Sequence, residues 1–319
     1  MAYNQSDQNF AQSSGSNFSN NAFLPEIYSK KVLNFFRKAS VVEAISNTDY
    51  AGEISGFGDT VKIINEPEIT VYQYERGADV TKTVLTDAET TLIVDTANAF
   101  KFIVDDIESQ MSHVNFKEVA TSSAAYSLRD AFDEGVLAKM FAGVSTSNPD
   151  NQIGTNAAVG AGVEPASGAV DLLGSDGSGV DALDLMARMA RKLDDQNVPE
   201  EGRYFVAPPS FYEELSQSGS KLLSVDFNAG QGSIRNGLIS SGKLRGFSMY
   251  KSNNIDTSGT ATGKVLAGHI SAVSTAQTIT STEVIRDPDS FGDIVRGLHV
   301  YGAKVLRPKA LVSAFYLVD

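Results

Sequence analysis

Strand-like runs cover Thr60–Glu66, Glu68–Glu75 and, less cleanly, Thr83–Asp95, where apolar and polar residues alternate. Ile69 and Val71 alternate with Thr70, Tyr72 and Tyr74. The middle, Glu75-Arg76-Gly77-Ala78-Asp79, is charged and holds a turn glycine. The pattern predicts one long hairpin. The period then changes. Val114-Asn115-Phe116-Lys117-Glu118-Val119 opens a helix. Asn115 can cap it, Glu118 completes a capping box, and Val114 can staple to Val119. No proline follows until well past Gly143, which reads as the C-terminal stop. A helix over Phe116–Ala142 spans ~40 Å at ~1.5 Å per residue. A hairpin this long cannot bury both faces on one helix. Its missing partner is expected on another subunit.

The flanking segments are less regular. Residues 1–22 are rich in Asn, Gln and Ser, with Asp7 the only charged side chain. Such a stretch buries too little apolar area to fold alone. Phe10, Phe18 and Phe23 are its candidate anchors on a partner. Pro25 suits the start of a helix running to Lys38. Val41, Val42 and Ile45 continue a buried segment. Gly143–Gly179 is loop-like, rich in Gly, Ser, Asn and Ala, and marks a domain boundary. Asp181 caps a helix to about Asn197 whose apolar face holds Leu183, Met186, Ala187, Ala190 and Leu193. Tyr204–Ala207 is a short buried strand ended by Pro208-Pro209, and Ser210 with Glu213 can cap the next helix. Residues 218–242 read as loop. Leu244–Lys251, Lys264–Ala267 and several runs between Glu283 and Val318 read as strands. Strands and helices mix without a regular βαβ repeat, so the predicted class is α+β.

Composition narrows the function. The chain has 319 residues, 42% hydrophobic and 20% charged, enough for a sizeable core and one or two domains. It has no run of ~18 apolar residues, so no helical membrane span is expected, and its first residues lack a secretory pattern. Cysteine is absent, which removes disulfides and thiolate metal sites. The net charge of −13 is wrong for gripping phosphates. It fits a surface that faces DNA without holding it, and it fits simple solubility equally well.

The chain offers little chemistry. His113, His269 and His299 are dispersed, and none lies in an HExxH motif. Ser241-Gly242-Lys243-Leu244 lacks the loop and the hydroxyl of a phosphate-binding P-loop. Gly230-Gln231-Gly232 has no strand just before it. Asp287–Asp293 has the outline of a calcium loop, but Phe291 takes a ligand position and Leu298 stands where the closing acid belongs, so a plain turn is expected. Asp105-Asp106 reads as helix-start electrostatics and Asp194-Asp195 as a solvated helix end. No catalytic residue, metal ligand or cofactor site is expected.

Several segments together resemble a known family. Leu24–Leu33, Gly58-Asp59-Thr60-Val61-Lys62-Ile63 and Asp105-Asp106-Ile107-Glu108 resemble segments of tailed-bacteriophage major capsid proteins. So do Arg235–Ile239, Gly246–Tyr250, Ser252-Asn253-Asn254 and the terminal Arg307–Val312. Their order and spacing over residues 24–318 carry the resemblance. It implies the Hong Kong 97-type coat fold, with an N-terminal arm at 1–48 and an extended hairpin loop at 49–98. A peripheral domain at 99–149 would hold a spine helix at 116–142. An axial domain would occupy 150–280, and 281–319 would return to both domains.

The expected function is that of a structural subunit. Hexamers and pentamers of this chain would close into an icosahedral head around double-stranded DNA, assembled in the host bacterial cytoplasm. Scaffolding protein and portal are expected partners, a cement protein is a further one, and no membrane is involved. Phe10, Phe18 and Phe23 in the arm are the candidate contacts between subunits, with Glu75, Arg76, Asp79 and Lys82 at the hairpin tip. That tip is either a docking point or a solvated turn. The alternatives are an encapsulin-like bacterial compartment and, in a different class, an enzyme with a loop-borne site. A concave pocket with convergent polar groups would mark the last.

Overall fold

The computed structural model describes residues 40–50, 60–64, 69, 71, 73, 76–77, 89–105, 116–154, 168–172, 179–216, 243–255, 263–288 and 290–317. Its first elements are helix α1 (Val42–Ile45), strands β1 (Thr60–Ile64), β2 (Glu89–Ile93) and β3 (Thr96–Asp105), and the long helix α2 (Phe116–Ser147). Strands β4 (Gln152–Ile153) and β5 (Val170–Asp171), helix α3 (Ala182–Asp195), strand β6 (Arg203–Ala207) and helix α4 (Pro209–Ser216) follow. The remaining strands are β7 (Lys243–Leu244), β8 (Phe247–Lys251), β9 (Gly263–His269), β10 (Val273–Arg286), β11 (Gly292–Val305) and β12 (Leu311–Leu317). This is the α+β mixture that the sequence predicts.

Strand β6, Arg-Tyr-Phe-Val-Ala, is buried at every position. It lies inside a seven-stranded sheet ordered β4-β12-β9-β6-β8-β7, with β5 also paired to β12. Side chains alternate between the faces of a strand. Tyr204 and Val206 therefore join one apolar cluster with α2, while Phe205 and Ala207 join another with α3 and α4. Cover on both faces is why the strand reads as an unbroken apolar run. Strands β7 and β8 meet through a two-residue turn, with Leu244 opposite Phe247. Arg245 at φ 49° and Gly246 at φ 85° are both left-handed, which matches the natural twist of a hairpin.

Helix α3 begins where Asp181 accepts a hydrogen bond from the Leu183 amide. It buries Leu183, Leu185, Met186, Met189 and Leu193. Asn197, left-handed at φ 57°, ends it. The amides of Val198 and Asn197 return to the carbonyls of Leu193 and Asp194, the paired closure of a Schellman motif. Asp194 is more than a solvated end. It accepts from the Arg203 guanidinium at 2.7 Å, and Arg203 is only 4% exposed.

Helix α2 has 32 residues, or ~48 Å at ~1.5 Å per residue. Its C-terminal half buries Phe132, Val136, Leu137, Met140, Phe141 and Val144 at helical spacing, and its N-terminal half up to Ala131 is half-buried or exposed from Glu118 onward. Gly143 is not the stop that the sequence suggests. The helix continues to Ser147, because Gly143 serves close packing on β11. Asn148, with φ −149° and ψ 69°, and Pro149 end the helix instead, since the residue before proline avoids the helical region.

Strands β10, β11 and β3 form an antiparallel sheet with β11 in the middle. Its one face carries His299 and Tyr301 against Phe132 of α2. On the other face, Leu298 and Val300 pack with Leu92, Val94, Val61 and Ile63. Strands β1 and β2 pair as an antiparallel ribbon with Thr60 opposite Ile93, which is the base of the expected hairpin. The connection from β10 to β11 begins at Asp287, whose amide donates to the Gly292 carbonyl at the start of β11.

Asp105 is the last residue of strand β3, and the residues after it lie outside the described ones. One further expectation changes. Helix α4 starts at Pro209, where the missing N–H costs nothing. Ser210 lies inside it and shares a 2.7 Å hydrogen bond with the Tyr316 hydroxyl. The helix expected from Pro25 to Lys38, the Asn115 cap with its Val114 staple, Asp106, Gly230-Gln231-Gly232 and the 218–242 loop lie outside the described residues.

Candidate functional site

Three surfaces could meet neighbouring molecules, and the first is the junction where the N-terminal segment enters the fold. Residues 40–47 form a strap across α2 and β10. Val41, Val42 and Ile45 fill the apolar cluster beneath it. Asp133 of α2, fully buried, accepts from Ser40 Oγ at 3.0 Å and from the amides of Val41 and Val42 at 2.9 and 2.8 Å. Its second oxygen accepts from Asn254 Nδ2 at 3.0 Å. The far end of the strap adds to β10, with Asn47 bridged to Ser274. On its outer side Glu43 pairs with Arg129 at 2.6 Å.

The second surface is the β1–β2 ribbon. Val61, Ile63 and Leu92 face the sheet. The opposite face carries Lys62 and Glu89, paired at 2.8 Å, with Ile64 at 80% and Ile93 at 47% exposure. Further along, Ile69 and Val71 are also exposed. Lys139 of α2 bonds Asp95 at 3.0 Å just after β2 and so fixes the ribbon base to the long helix. Burial alone would raise the Asp95 carboxyl. The hydrogen bonds from Lys139 and Thr96, with the Lys139 charge, hold it below the usual carboxylate value.

The third surface is the far end of the three-stranded sheet. Ile285, Ile294 and Ile103 stand in one cross-strand row, and Ile103 and Ile285 are exposed. Phe291, 79% exposed, tops the β10–β11 turn. Nearer the strap, a groove of about 470 Å³ runs between α2 and this sheet, lined among others by Phe100, Leu128, Arg129 and His299.

These surfaces suit contacts repeated between copies. Over residues 69–314 the sequence matches the model of a family described as phage capsid protein.

The chain belongs to the phage capsid protein family.

Solved structures agree. A chain from Mycobacterium phage Che8 superposes with a TM-score of 0.72 at 29% identity, covering 93% of this chain and 98% of that one. A chain from the capsid structure of the cyanophage P-SCSP1u gives 0.71 at 20% identity and covers 100% of both. A chain from the mature capsid of bacteriophage PhiM1 gives 0.65 at 16% identity, covering 92% and 91%. No match was found among curated proteins. The capsid protein has the Hong Kong 97-type fold that the resemblance implied, and its role is structural: it is a major capsid protein, which self-assembles as part of the phage particle. The family assigns it to phage coats rather than to bacterial compartments.

Of the capsid protein's expected contact residues, Arg76 is exposed beside Gly77, which turns the chain at φ 91°. Phe10, Phe18, Phe23, Glu75, Asp79 and Lys82 lie outside the described residues. The residues that sequence reasoning missed are Asp133, the Glu43–Arg129 and Asp95–Lys139 pairs, and the outward Ile64 and Ile93. Asp133 did leave a signal. It falls on the stripe of Leu137, Met140 and Val144, where an apolar residue belongs.

Proposed function

We propose that residues 1–48 of the capsid protein form an N-terminal arm and 49–98 an extended loop. Residues 99–149 then form the peripheral domain around α2, 150–280 the axial domain, and 281–319 the strands returning to both. Subunits associate as hexamers and pentamers, and these close into an icosahedral head around the double-stranded DNA of a tailed phage. Phe10, Phe18 and Phe23 anchor the arm, and the tip residues Glu75, Arg76, Asp79 and Lys82 dock the loop on an adjacent subunit. A scaffolding protein and a portal serve assembly in the host bacterial cytoplasm, and a cement protein can brace the outside.

The observation that carries this reading is the ribbon. One face is packed on the sheet and the other holds two exposed isoleucines beside a salt bridge. The outward face leaves Ile64 and Ile93 in water, and exposed apolar side chains grouped on one face suit cover by a neighbour. The acidic balance of −13 suits an enclosed DNA that slides rather than binds. Catalysis has no part in this reading. Burial moves Tyr212 and Tyr316 up to about 12 and raises Tyr204 as well, so these hydroxyls stay protonated at neutral pH.

Hydrogen exchange on free subunits and on shells tests the assignment. Residues 1–22 and the β1–β2 ribbon should exchange faster in free subunits and slow down on assembly. Equal protection of both segments in the two states would refute it.

A further inference from the structure

Helix α1 has only four residues, and its N-cap, Val41, supplies no side-chain hydrogen bond. The first amides of a helix need an outside acceptor. Asp133 supplies it from a different helix. One carboxylate oxygen takes Ser40 Oγ and the Val41 and Val42 amides, and the other takes Asn254 Nδ2. Four donors converge on one group. An ionised carboxylate suits them because it only accepts, whereas an asparagine would turn its own NH2 toward one of them. Among the described residues no cation touches Asp133, and its polar contacts are these hydrogen bonds.

A buried acid is a poor choice for stability by itself, since apolar side chains in such a site often do as well or better. What it adds is direction. The strap is tied at its other end by the Asn47 amide on the Val273 carbonyl and the Thr275 amide on the Asn47 carbonyl, both 2.9 Å. Ser46 Oγ and Thr275 Oγ1 share a further bond of 2.9 Å. All of these contacts lie within one subunit. The direction of the chain at residue 40 is therefore fixed before any neighbour arrives.

We propose that Asp133 is a positioning residue for assembly: it sets the point and direction at which residues 1–39 leave the folded body, so that the arm reaches the adjacent subunit. The inference rests on the reading of residues 1–48 as an arm that contacts neighbours.

The test uses the full chain. In unassembled wild-type subunits the Val41 and Val42 amides should exchange at least a hundredfold more slowly than in a free peptide. In Asp133→Asn that protection should fall at least tenfold while the amides of Leu137 and Met140 keep theirs. The yield of closed shells should fall at least fivefold. Asn254→Ala removes the other partner of the same carboxylate and should lower the melting temperature comparably. It should leave the Val41 and Val42 protection and the shell yield within twofold of wild type, an ordering that a merely structural role would not produce. If Asp133→Asn does not fold, Ser40→Ala removes only the donor nearest the arm, and it should lower shell yield at least twofold at unchanged melting temperature. Unprotected Val41 and Val42 amides in free subunits, equal loss of shells in Asp133→Asn and Asn254→Ala, or full yield from Ser40→Ala as the fallback overturns the proposal. Deletion of residues 1–22 separates the two layers. Wild-type assembly by the deletion overturns the arm reading and the proposal with it. Failed assembly by the deletion beside normal assembly of Asp133→Asn overturns the Asp133 assignment alone.

Discussion

A Cβ placed on Gly143 would lie 2.5 Å from Cγ2 of Val305, too close for two carbon atoms. Gly143 is on α2 and Val305 closes β11, so the helix rests on the strand only because position 143 has no side chain. Gly135 repeats the arrangement against the Tyr301 hydroxyl, also at 2.5 Å.

Gly143→Ala therefore has two opposed effects. Alanine favours the helix by up to ~1 kcal/mol over glycine. Overpacking a fixed contact costs ~1–3 kcal/mol, and a β-branched valine cannot swing aside. A net loss of about 1 kcal/mol is expected in urea unfolding. In a Val305→Ala background the same change should become neutral or stabilising. Stabilisation in the wild-type background contradicts the packing account.

Acid should loosen the joint between α2 and the sheet. His299 is 4% exposed, with its ring stacked on Tyr301 and edge-on to Phe132. Nε2 lies 3.3 Å from Gln277 Oε1, and Nδ1 has no partner among the described residues. Glu43 of α1 and Arg129 of α2, which line the same groove, pair with each other, and Asp95 and Glu134 act on the neighbouring Tyr301. Burial lowers the His299 pKa. Unfolded histidine takes up its proton near ~6.5, so below that pH the unfolded chain binds more protons than the fold. Stability is unaffected above ~6.5, falls as pH drops toward the folded pKa, and levels off beneath it. Thermal melts of free subunits from about pH 7 to about pH 5 should show this decline, and His299→Gln should flatten it. An unchanged slope in the variant would mean that other groups carry the acid response.

Arg76→Glu reverses a charge at an exposed turn. Folding of the free subunit should hardly change. Particle yield should drop, and reversal of the acidic partner on the neighbour should restore it, since charge pairs fix register between partners more than they add affinity. Wild-type yield across salt concentrations would make the tip a solvated turn.

Ile64→Thr keeps the β-branched shape of an 80% exposed side chain. Free-subunit stability should stay within about 0.5 kcal/mol. If a neighbour covers Ile64, its burial contributes ~1.5–3 kcal/mol per contact, and the concentration at which shells form should rise about tenfold or more. Equal assembly thresholds for both proteins would place Ile64 in solvent in the particle.

Much of this was legible in the sequence. The ribbon base, β6 and α3 are written in local patterns, and Asp181 capped its helix as its type and place suggest. The statement that the hairpin lacks a partner for one face was also readable, and Ile64 and Ile93 show which face that is. Gly143 misled because a stop glycine and a contact glycine look alike until Val305, far along the chain, is placed beside it. Asp133 broke the apolar stripe of α2 visibly. What it binds is two main-chain amides, a serine and Asn254, and no side-chain pattern announces main-chain donors.

The central claim is that copies of this chain close into shells. Negative-stain electron microscopy of the protein, expressed alone and with a scaffolding partner, tests it most directly. The account predicts closed hollow particles built from rings of five and six. Only monodisperse monomers under every assembly condition would contradict it.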